Sequence, residues 1–599
     1  MDFLTIYDRS VIASICKKVI PGVSGTEDRI DFVLDSFPLT IRRAWLLYLR
    51  KFGNRIFTMT DSKLKKAAYT SPLKEFLLPI RYAAFSDKIT NVKPPKFLRK
   101  ERWEQQVFDA SIMPRKVECE YIVVGSGAGG ASVAYKLASL GYAVIVVEEG
   151  NFYNRRNITG DPLNAFKNIY RNSGFTFAWS KSPFPVWAGK AVGGTTVINS
   201  GTCVRTPNFI LEEWANNGAT CLKPSHMNDY YNTAETFLNV HTVESEYIGG
   251  IGKLIMEAAS KLEWKHGPLP RNSTGCDGQA RCCFGCPTGA KQSTDVSFIP
   301  KALNNGAQIF TNGKVTSIDM DNGIAKGVTV NTINGGDIYI KATNGVILSC
   351  GSLFTPDLLK RSGIDNPNIG RNLSVHPAIS IFAFHSKDIC MTSCEVPQGY
   401  HVSEFAPDFM LEGASMVAPV AAMAMRSVGE EFTRLMRNYE KLSMFGAMIR
   451  DSSRGRVFKN SYILYSLNKE DMSKIRKATK MLIELLNSSS RVVEIYPFIK
   501  GYHKIKGVSS SWFPIKNRSD RLNTFTQNDI TISAYHPLGS CRMGCNPNNS
   551  VVDPNFKVWN TRNLYVVDGS VFPSSTGYNP QLTIMSMGLM AADAIDSEN

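Results

Sequence analysis

No apolar run in this 599-residue chain is long enough to cross a bilayer. The longest, "ASMVAPVAAMAM" at 414–425, falls short of the ~18–20 residues that a spanning helix needs. The opening "MDFLTIYDRS" lacks the basic and apolar regions of a secretion signal, and the end "AADAIDSEN" carries no address motif. The expected location is therefore cytoplasmic, or peripheral on the cytoplasmic face of a membrane. A disulfide framework is missing too. The 13 cysteines are odd in number and, one cluster apart, scattered through apolar stretches such as "GVILSCG" (345–351), which fits buried, reduced thiols. No arginine-rich or aromatic-interleaved basic motif supports a nucleic-acid partner, and no internal repeat is present.

What is there is an ordinary globular composition, 43% apolar and 20% charged, on a chain too long for a single hydrophobic core. The formal charge of +16 is the outlier. Residues 1–118 hold 22 Lys and Arg against 13 Asp and Glu, a net of +9, so more than half of the excess lies in the first fifth of the chain. A solvated basic face explains this, and so does docking on an anionic membrane or an acidic partner.

Residues 1–100 read as helices. Apolar residues recur at Val11, Ile15 and Val19 before Pro21, and again at Ile41, Trp45, Leu49 and Phe52, while Ser71 and Pro72 open a third helix as N-cap and first residue. We expect a separate basic helical extension over 1–117, with 91–106 as its connector. At residue 120 the texture changes. "EYIVVGSGAGGASVAYKLASLGYAVIVVEEG" (120–150) predicts a buried strand, a glycine turn, a helix leaving at Gly141 and a second buried strand. "KVTSIDMDNGIAKGVTVNT" (314–332) alternates around Asn-Gly as a hairpin, and "KIRKATKMLIELL" (474–486) reads as a helix, but 375–525 holds no recognisable chemical motif.

The fingerprint Gly125-x-Gly127-x-x-Gly130, with Ala128 in the turn, lies between that strand and helix, and Glu148 follows 23 residues after Gly125. The glycines permit a tight turn, close approach of a pyrophosphate to the helix start and close helix–strand packing. The acid accepts hydrogen bonds from ribose hydroxyls. Glu149 is the neighbouring candidate for that contact.

Four later stretches, together with the fingerprint, carry a resemblance: "GKAVGGTTVINSGTCVRTP" (189–207), "GSLFTPDLLKRSGI" with "NIGRNLSVHP" (351–377), "SAYHPLGSCRMG" (533–544) and "LYVVDGSVFPSSTGYNPQLTIMSMG" (564–588). In this order they resemble the glucose–methanol–choline (GMC) family of flavoprotein oxidoreductases. The resemblance implies FAD in an extended pose, with Gly193, Gly194 and Thr195 along its pyrophosphate and the approach to the flavin. It also implies Asn199 near the isoalloxazine, Asp568 and Gly569 at the ribityl and pyrophosphate region, and Pro580 and Gln581 at the end of the flavin site. His536 matches the family's base, which removes an alcohol proton while hydride passes to flavin N5, and Asn579 matches the second group on the substrate oxygen. An imidazole suits that task near neutral pH. His376 in "SVHP" is a candidate for a group supporting the site from behind, with a structural role favoured.

The run "GCDGQARCCFGCPTGAKQST" (275–294) resembles the loop of long-chain (fatty) alcohol oxidases, which also carry a helical N-terminal extension. Cys276, Cys282, Cys283 and Cys286 also resemble the cysteines of FAD-dependent sugar dehydrogenases that hold an iron–sulfur cluster, but only two residues separate Cys283 from Cys286. A zinc site would need a second arm. The expectation is a loop of reduced thiols near the substrate entrance, without metal.

The fold class expected is α/β: a Rossmann-like FAD-binding domain assembled from 118–205, 295–375 and 525–599, with a mixed α+β substrate domain and the N-terminal helices. The substrate domain would comprise a cap segment, 206–294, and 376–524. The activity implied is oxidation of a primary, long-chain alcohol to the aldehyde, with oxygen or another electron acceptor and a possible peripheral membrane surface as partners. A sugar or sterol dehydrogenase is the alternative.

Overall fold

The computed structural model describes residues 4–68, 72–88, 101–180, 182–333, 335–389, 394–502, 504–506 and 519–598. The cap expected at Ser71 and the first ten residues of the expected connector lie outside these. The chain opens with helices α1 (Ile6–Val19), α2 (Thr26–Leu34), α3 (Leu39–Thr58), α4 (Asp61–Ala67) and α5 (Leu73–Ala84). A capping box starts α1: Thr5 Oγ1 accepts from the Asp8 amide, and the Asp8 carboxylate accepts from Thr5. The predicted apolar stripe faces inward, with Val11, Ile15, Val19, Trp45 and Leu49 buried. These helices are not a separate body, because their apolar faces join one continuous core with the substrate domain. Arg81 of α5, fully buried, donates to the backbone oxygens of Met425 and Ser427.

The first large sheet contains β1 (Val107–Asp109), β2 (Lys116–Val124), β3 (Val144–Val147), β4 (Gln308–Thr311), β5 (Gly313–Asp321), β6 (Ile324–Thr332) and β7 (Asp337–Leu348). Its order is β1-β4-β3-β2-β7-β6-β5, and the late strand Leu564–Val566 lies parallel to β7. β2, helix α6 (Ala128–Ser139) and β3 form the expected βαβ unit, parallel in register from Tyr121↔Val144 to Val124↔Val147. The β5–β6 hairpin turns at Asn322 and Gly323, both with positive φ, as a two-residue primed turn demands.

The second sheet is antiparallel and carries the substrate side: β8 (Ala378–His385), β9 (Tyr400–Val402), β10 (Phe409–Ala414), β11 (Leu442–Ile449) and β12 (Val492–Tyr496), in the order β12-β8-β11-β10-β9. Helices α7 (Gly249–Lys261) and α8 (Lys469–Asn487) pack on one face, so α8 is longer than the apolar repeat alone predicts. Its start is set by Asn468, whose side chain accepts from the Asp471 amide. The last helix, α9 (Gln581–Ser597), packs against α6 and closes the first core. Among the described residues, no helix is long and apolar enough to cross a membrane.

Candidate active site

A cavity of about 990 Å³ lies between the two sheets and reaches from the glycine turn after β2 to the N-terminal helices. At its first end the glycines of the turn after β2 divide their work. A Cβ on Gly129 would stand 1.9 Å from the Val567 oxygen, and one on Gly130 1.9 Å from the Gly125 oxygen, so both positions are reserved for backbone packing. A Cβ on Gly127 would meet nothing within 4 Å, which leaves the start of α6 open to a ligand. The second glycine turn faces the first: a Cβ on Gly194 would come within 3.0 Å of Gly127 Cα. Ser126 locks the two turns together. Its Oγ accepts from Gly193 N (3.0 Å) and donates to Glu148 Oε2 (2.7 Å).

Glu148 and Glu149 part ways at the end of β3. Glu148 is buried and accepts from Ser126 and Gly150; burial pushes its pKa up while those bonds hold it down. Burial acts on Glu149 too, but the guanidinium of Arg171 (2.8 Å) and the ammonium of Lys190 prevail and hold it at about 2. Both carboxylates line the cavity. Asp568 is a bracing group: it accepts from Gly351 N (2.8 Å), Thr355 Oγ1 (2.5 Å) and Ser570 N (2.7 Å), the last as cap of the short turn that holds Gly569. The Thr195 hydroxyl accepts from Gly189 N, while Asn199 donates to Gln581 Oε1 (2.7 Å). Gln581 follows Pro580 at the start of α9, and its Nε2 donates to Thr202 O (2.8 Å). Residues from 125 to 581 thus meet around one elongated space that suits a dinucleotide.

Beyond that space, His536 and Asn579 both line the cavity, and the buried Asn579 Oδ1 has no hydrogen-bond partner. His376, for which a structural role was favoured over one supporting the site, touches His536: the two Nδ1 atoms stand 3.3 Å apart. Nε2 of His376 accepts from the amides of Thr576 and Gly577, each at 3.2 Å. Burial, with Arg450 nearby, lowers the pKa of His376 to about 3, so the ring is neutral. The Nδ1 atoms of the two imidazoles face each other across one shared hydrogen bond. Burial and the neighbouring imidazole hold His536 well below its ordinary range as well. The segment is gripped by Asp451, which accepts from Ser374 Oγ (2.9 Å), Val375 N (3.1 Å), His376 N (3.3 Å) and Tyr465 OH (2.7 Å). No local pattern in the sequence marks Asp451, 75 residues from His376.

The cysteine loop sits beside the second glycine turn. Lys291, fully buried, donates from Nζ to the backbone oxygens of Thr196 (2.8 Å), Val197 (2.9 Å), Asn199 (2.8 Å) and Cys282 (2.9 Å). Arg271 Nη2 donates to Cys282 Sγ (3.3 Å) and the Lys291 amide to Cys286 Sγ (3.2 Å). A hydrogen bond from Cys286, helped against burial by Arg271 and Lys291, lowers Cys282 to about 7. Cys283 presents its backbone oxygen to Tyr170 OH, and burial raises the pKa of Cys276. Among the described residues, no group of three or more His, Cys, Asp or Glu side chains is placed to hold a metal ion. The lysine of the turn that follows the cysteines is legible in the sequence, but its role as a brace for the second glycine turn is not.

Comparison with known proteins agrees with this geometry. Residues 120–378 match the N-terminal model of the GMC oxidoreductases and 451–588 the C-terminal model. An uncharacterized GMC-type oxidoreductase of Mycobacterium tuberculosis is 31% identical over 488 residues, covering 80% of this chain and 76% of the relative. A long-chain-alcohol oxidase of Arabidopsis thaliana is 28% identical over 513 residues, 80% of this chain and 69% of that protein. In fold, the chain is similar to a solved variant of formate oxidase from Aspergillus oryzae, with a TM-score of 0.64 at 17% identity over 81% of this chain and 99% of that one. With both family models matched in order, and with paired glycine turns shaped for a dinucleotide, the chain belongs to the GMC oxidoreductase family and binds FAD.

Proposed function

We propose that the protein oxidises a primary alcohol with a long apolar chain to the aldehyde, passing the electrons on to oxygen or another acceptor. The observation that carries this reading is the lining of the cavity beyond the histidines: Phe382, Met444 and Met448 from the substrate sheet, with Val33, Phe37 and Leu78 from the N-terminal helices. An apolar enclosure of this kind binds a hydrocarbon chain by removing it from water. The similarity to long-chain-alcohol oxidases supports the same substrate class.

FAD, when bound, supplies the acceptor for the hydride that leaves the carbinol carbon. Gly127, Gly194 and the start of α6 orient it, while Glu148 meets its ribose. His536 takes the alcohol proton as base, with His376 against its Nδ1 at 3.3 Å. The free Oδ1 of Asn579 offers an acceptor beside it. His376 and Asp451 position the imidazole.

The exposed Phe32 and Leu39 stand close in the chain to the cavity-lining Val33 and Phe37, and Ile6, Leu47 and Phe57 are exposed on the neighbouring helices α1 and α3, both net basic. This supports the reading that the extension rests on an anionic membrane from which the alcohol is drawn. The test is the absorbance of the holoenzyme without oxygen. Bleaching of the flavin band on adding a long-chain primary alcohol is expected, and a band unmoved by any such alcohol would overturn the substrate.

A further inference from the structure

The cysteine loop carries chemistry that alcohol oxidation does not use. Residues 282–284 make one short helical turn, and the chain then doubles back through Gly285 (φ 99°) and Cys286 (φ 52°). A left-handed cysteine is uncommon, and here it brings the Cys286 thiol onto Cys282, to which it donates a hydrogen bond. The surrounding backbone holds that shape. Cys286 N donates to the Arg281 oxygen (3.2 Å), and the Cys286 oxygen accepts from Gly289 N (2.9 Å) and Arg155 Nη1 (3.1 Å).

Two buried cations attend Cys282. Arg271, 1% exposed, donates from Nη2 to its Sγ (3.3 Å) and from Nη1 to Ser200 O (2.7 Å), while its Nε has no partner. Lys291 spends its ammonium on carbonyls, that of Cys282 among them. Among the described residues, neither cation forms an ion pair with a carboxylate, since Asp295 is taken by Arg155. Glu395 does not supply the charge: it accepts from Ser415, and burial raises its pKa to about 8, so it is mostly neutral at pH 7. Buried cations need an anion close by, and the Cys282 sulfur in contact with Arg271 can be one. A small cavity of about 20 Å³ meets this sulfur, with Cys276, Cys286, Arg271 and Lys291 on its wall and the exposed Asp277 beside them. It has room for a molecule of about the size of water.

We propose that Cys282 is a peroxide-reactive thiolate and Cys286 its resolving thiol, so that oxidation closes a disulfide beside the second glycine turn. The Cys282 sulfur attacks one oxygen of hydrogen peroxide, the O–O bond breaks, and the departing hydroxide takes a proton to become water, leaving a sulfenic acid. The Cys286 sulfur then attacks that sulfur, the S–O bond breaks, and hydroxide leaves with the Cys286 proton as a second water. The two sulfurs together lose the two electrons that the peroxide gains. A neutral disulfide no longer offsets Arg271 and Lys291, and Lys291 braces Thr196, Val197 and Asn199, so oxidation loosens the turn that faces the FAD site. Where oxygen is the electron acceptor, peroxide forms in the adjoining flavin cavity, whose wall includes Cys283. The thiol site itself does not depend on which alcohol is oxidised.

The test treats the holoenzyme with hydrogen peroxide, blocks free thiols with iodoacetamide and reads tryptic peptides by mass spectrometry. The peptide 282–291, "CCFGCPTGAK", should appear lighter by two hydrogens and blocked at only one of its cysteines. Cys283→Ser should still form the link, and Cys286→Ser should stop at a sulfenic acid on Cys282 that dimedone traps. Cys221 is only partly buried as a residue, yet burial raises its thiol to about 12, and it should react slower by ~10-fold or more. In urea, oxidised holoenzyme should release FAD at a lower midpoint than reduced holoenzyme, with dithiothreitol restoring it. A peptide blocked at all three cysteines after peroxide, or a link from Cys282 to Cys276 in the preceding peptide, would overturn the pair. A link that leaves FAD release unchanged would overturn its coupling to the glycine turn. None of these measurements uses substrate, so they are read independently of the alcohol-oxidising function.

Discussion

Replacing Lys291 by Met tests whether one buried ammonium holds the second glycine turn in place. Its Nζ bridges the carbonyls of Thr196, Val197 and Asn199 to that of Cys282, at 2.8 to 2.9 Å. Met fills much the same volume but donates nothing, so four carbonyls lose a charged donor. Orphaned buried groups cost about 1–3 kcal/mol each. Against this stands the cost of burying the ammonium itself, several kcal/mol, which the variant avoids; it is also why burial lowers the pKa of Lys291. The balance is a loss of about 3–5 kcal/mol, a large part of the ~5–15 kcal/mol that holds a typical domain folded. The damage should concentrate on Gly193–Asn199, the segment against Gly127. The assay is flavin fluorescence during urea titration, because released FAD fluoresces freely. We expect release at clearly lower urea than in wild type, with Lys301→Met, an exposed lysine of the next helix, as an unaffected control. If Lys291→Met released FAD at the wild-type midpoint, the argument that this cation braces the site would be wrong.

The two acids after β3 separate by single substitutions. Glu148→Gln should weaken FAD retention by ~10-fold or more, equivalent to about 1.4 kcal/mol. Glu149→Gln should change it little, since Glu149 is committed to Arg171 and Lys190; equal effects in ultrafiltration assays would show that the ribose contact is misassigned. The buried carboxyl of Glu412, which lines the cavity with one oxygen on Gln398 Nε2 and the other without a partner, also predicts a pH dependence of stability. Its pKa rises from 4.5 unfolded to about 7 folded, so the folded state binds the proton more tightly. The contribution is full below 4.5 and is lost as pH climbs to 7, on the order of 3 kcal/mol. Denaturation of Glu412→Gln should show a flatter profile over that window, and identical profiles would argue against an uncompensated carboxylate.

Local physics made much of the nucleotide side readable from the chain. Gly125, Gly127 and Gly130 announce themselves because a turn, an open helix start and a close backbone crossing each forbid a side chain at fixed spacing. Asn322-Gly323 likewise sets its hairpin through two residues that tolerate positive φ. His536 and Asn579 were legible because the residues flanking them match a family pattern. The N-terminal helices were legible as helices from their apolar spacing. That they share the substrate domain's core was not, since an apolar stripe says that a face is covered and not by what.

The substrate side resisted for the same reason. Between 375 and 525 the chain shows only strands and a helix, and the chemistry lies in pairings across long separations: His376 on His536, 160 residues apart, Asp451 on His376, and Ser200 on Gln398, 198 apart. The placing of His536 depends on His376, whose Nε2 is held by two backbone amides that no side-chain alphabet encodes. That Glu412 lies between His401 and Gly446 is likewise a matter of register. By itself, then, the sequence determined the cofactor turn and the class of fold, because those rest on backbone constraints over short spans. Only the tertiary structure decided protonation, orientation and what surrounds the substrate, because burial and hydrogen-bond partners are properties of neighbours in space.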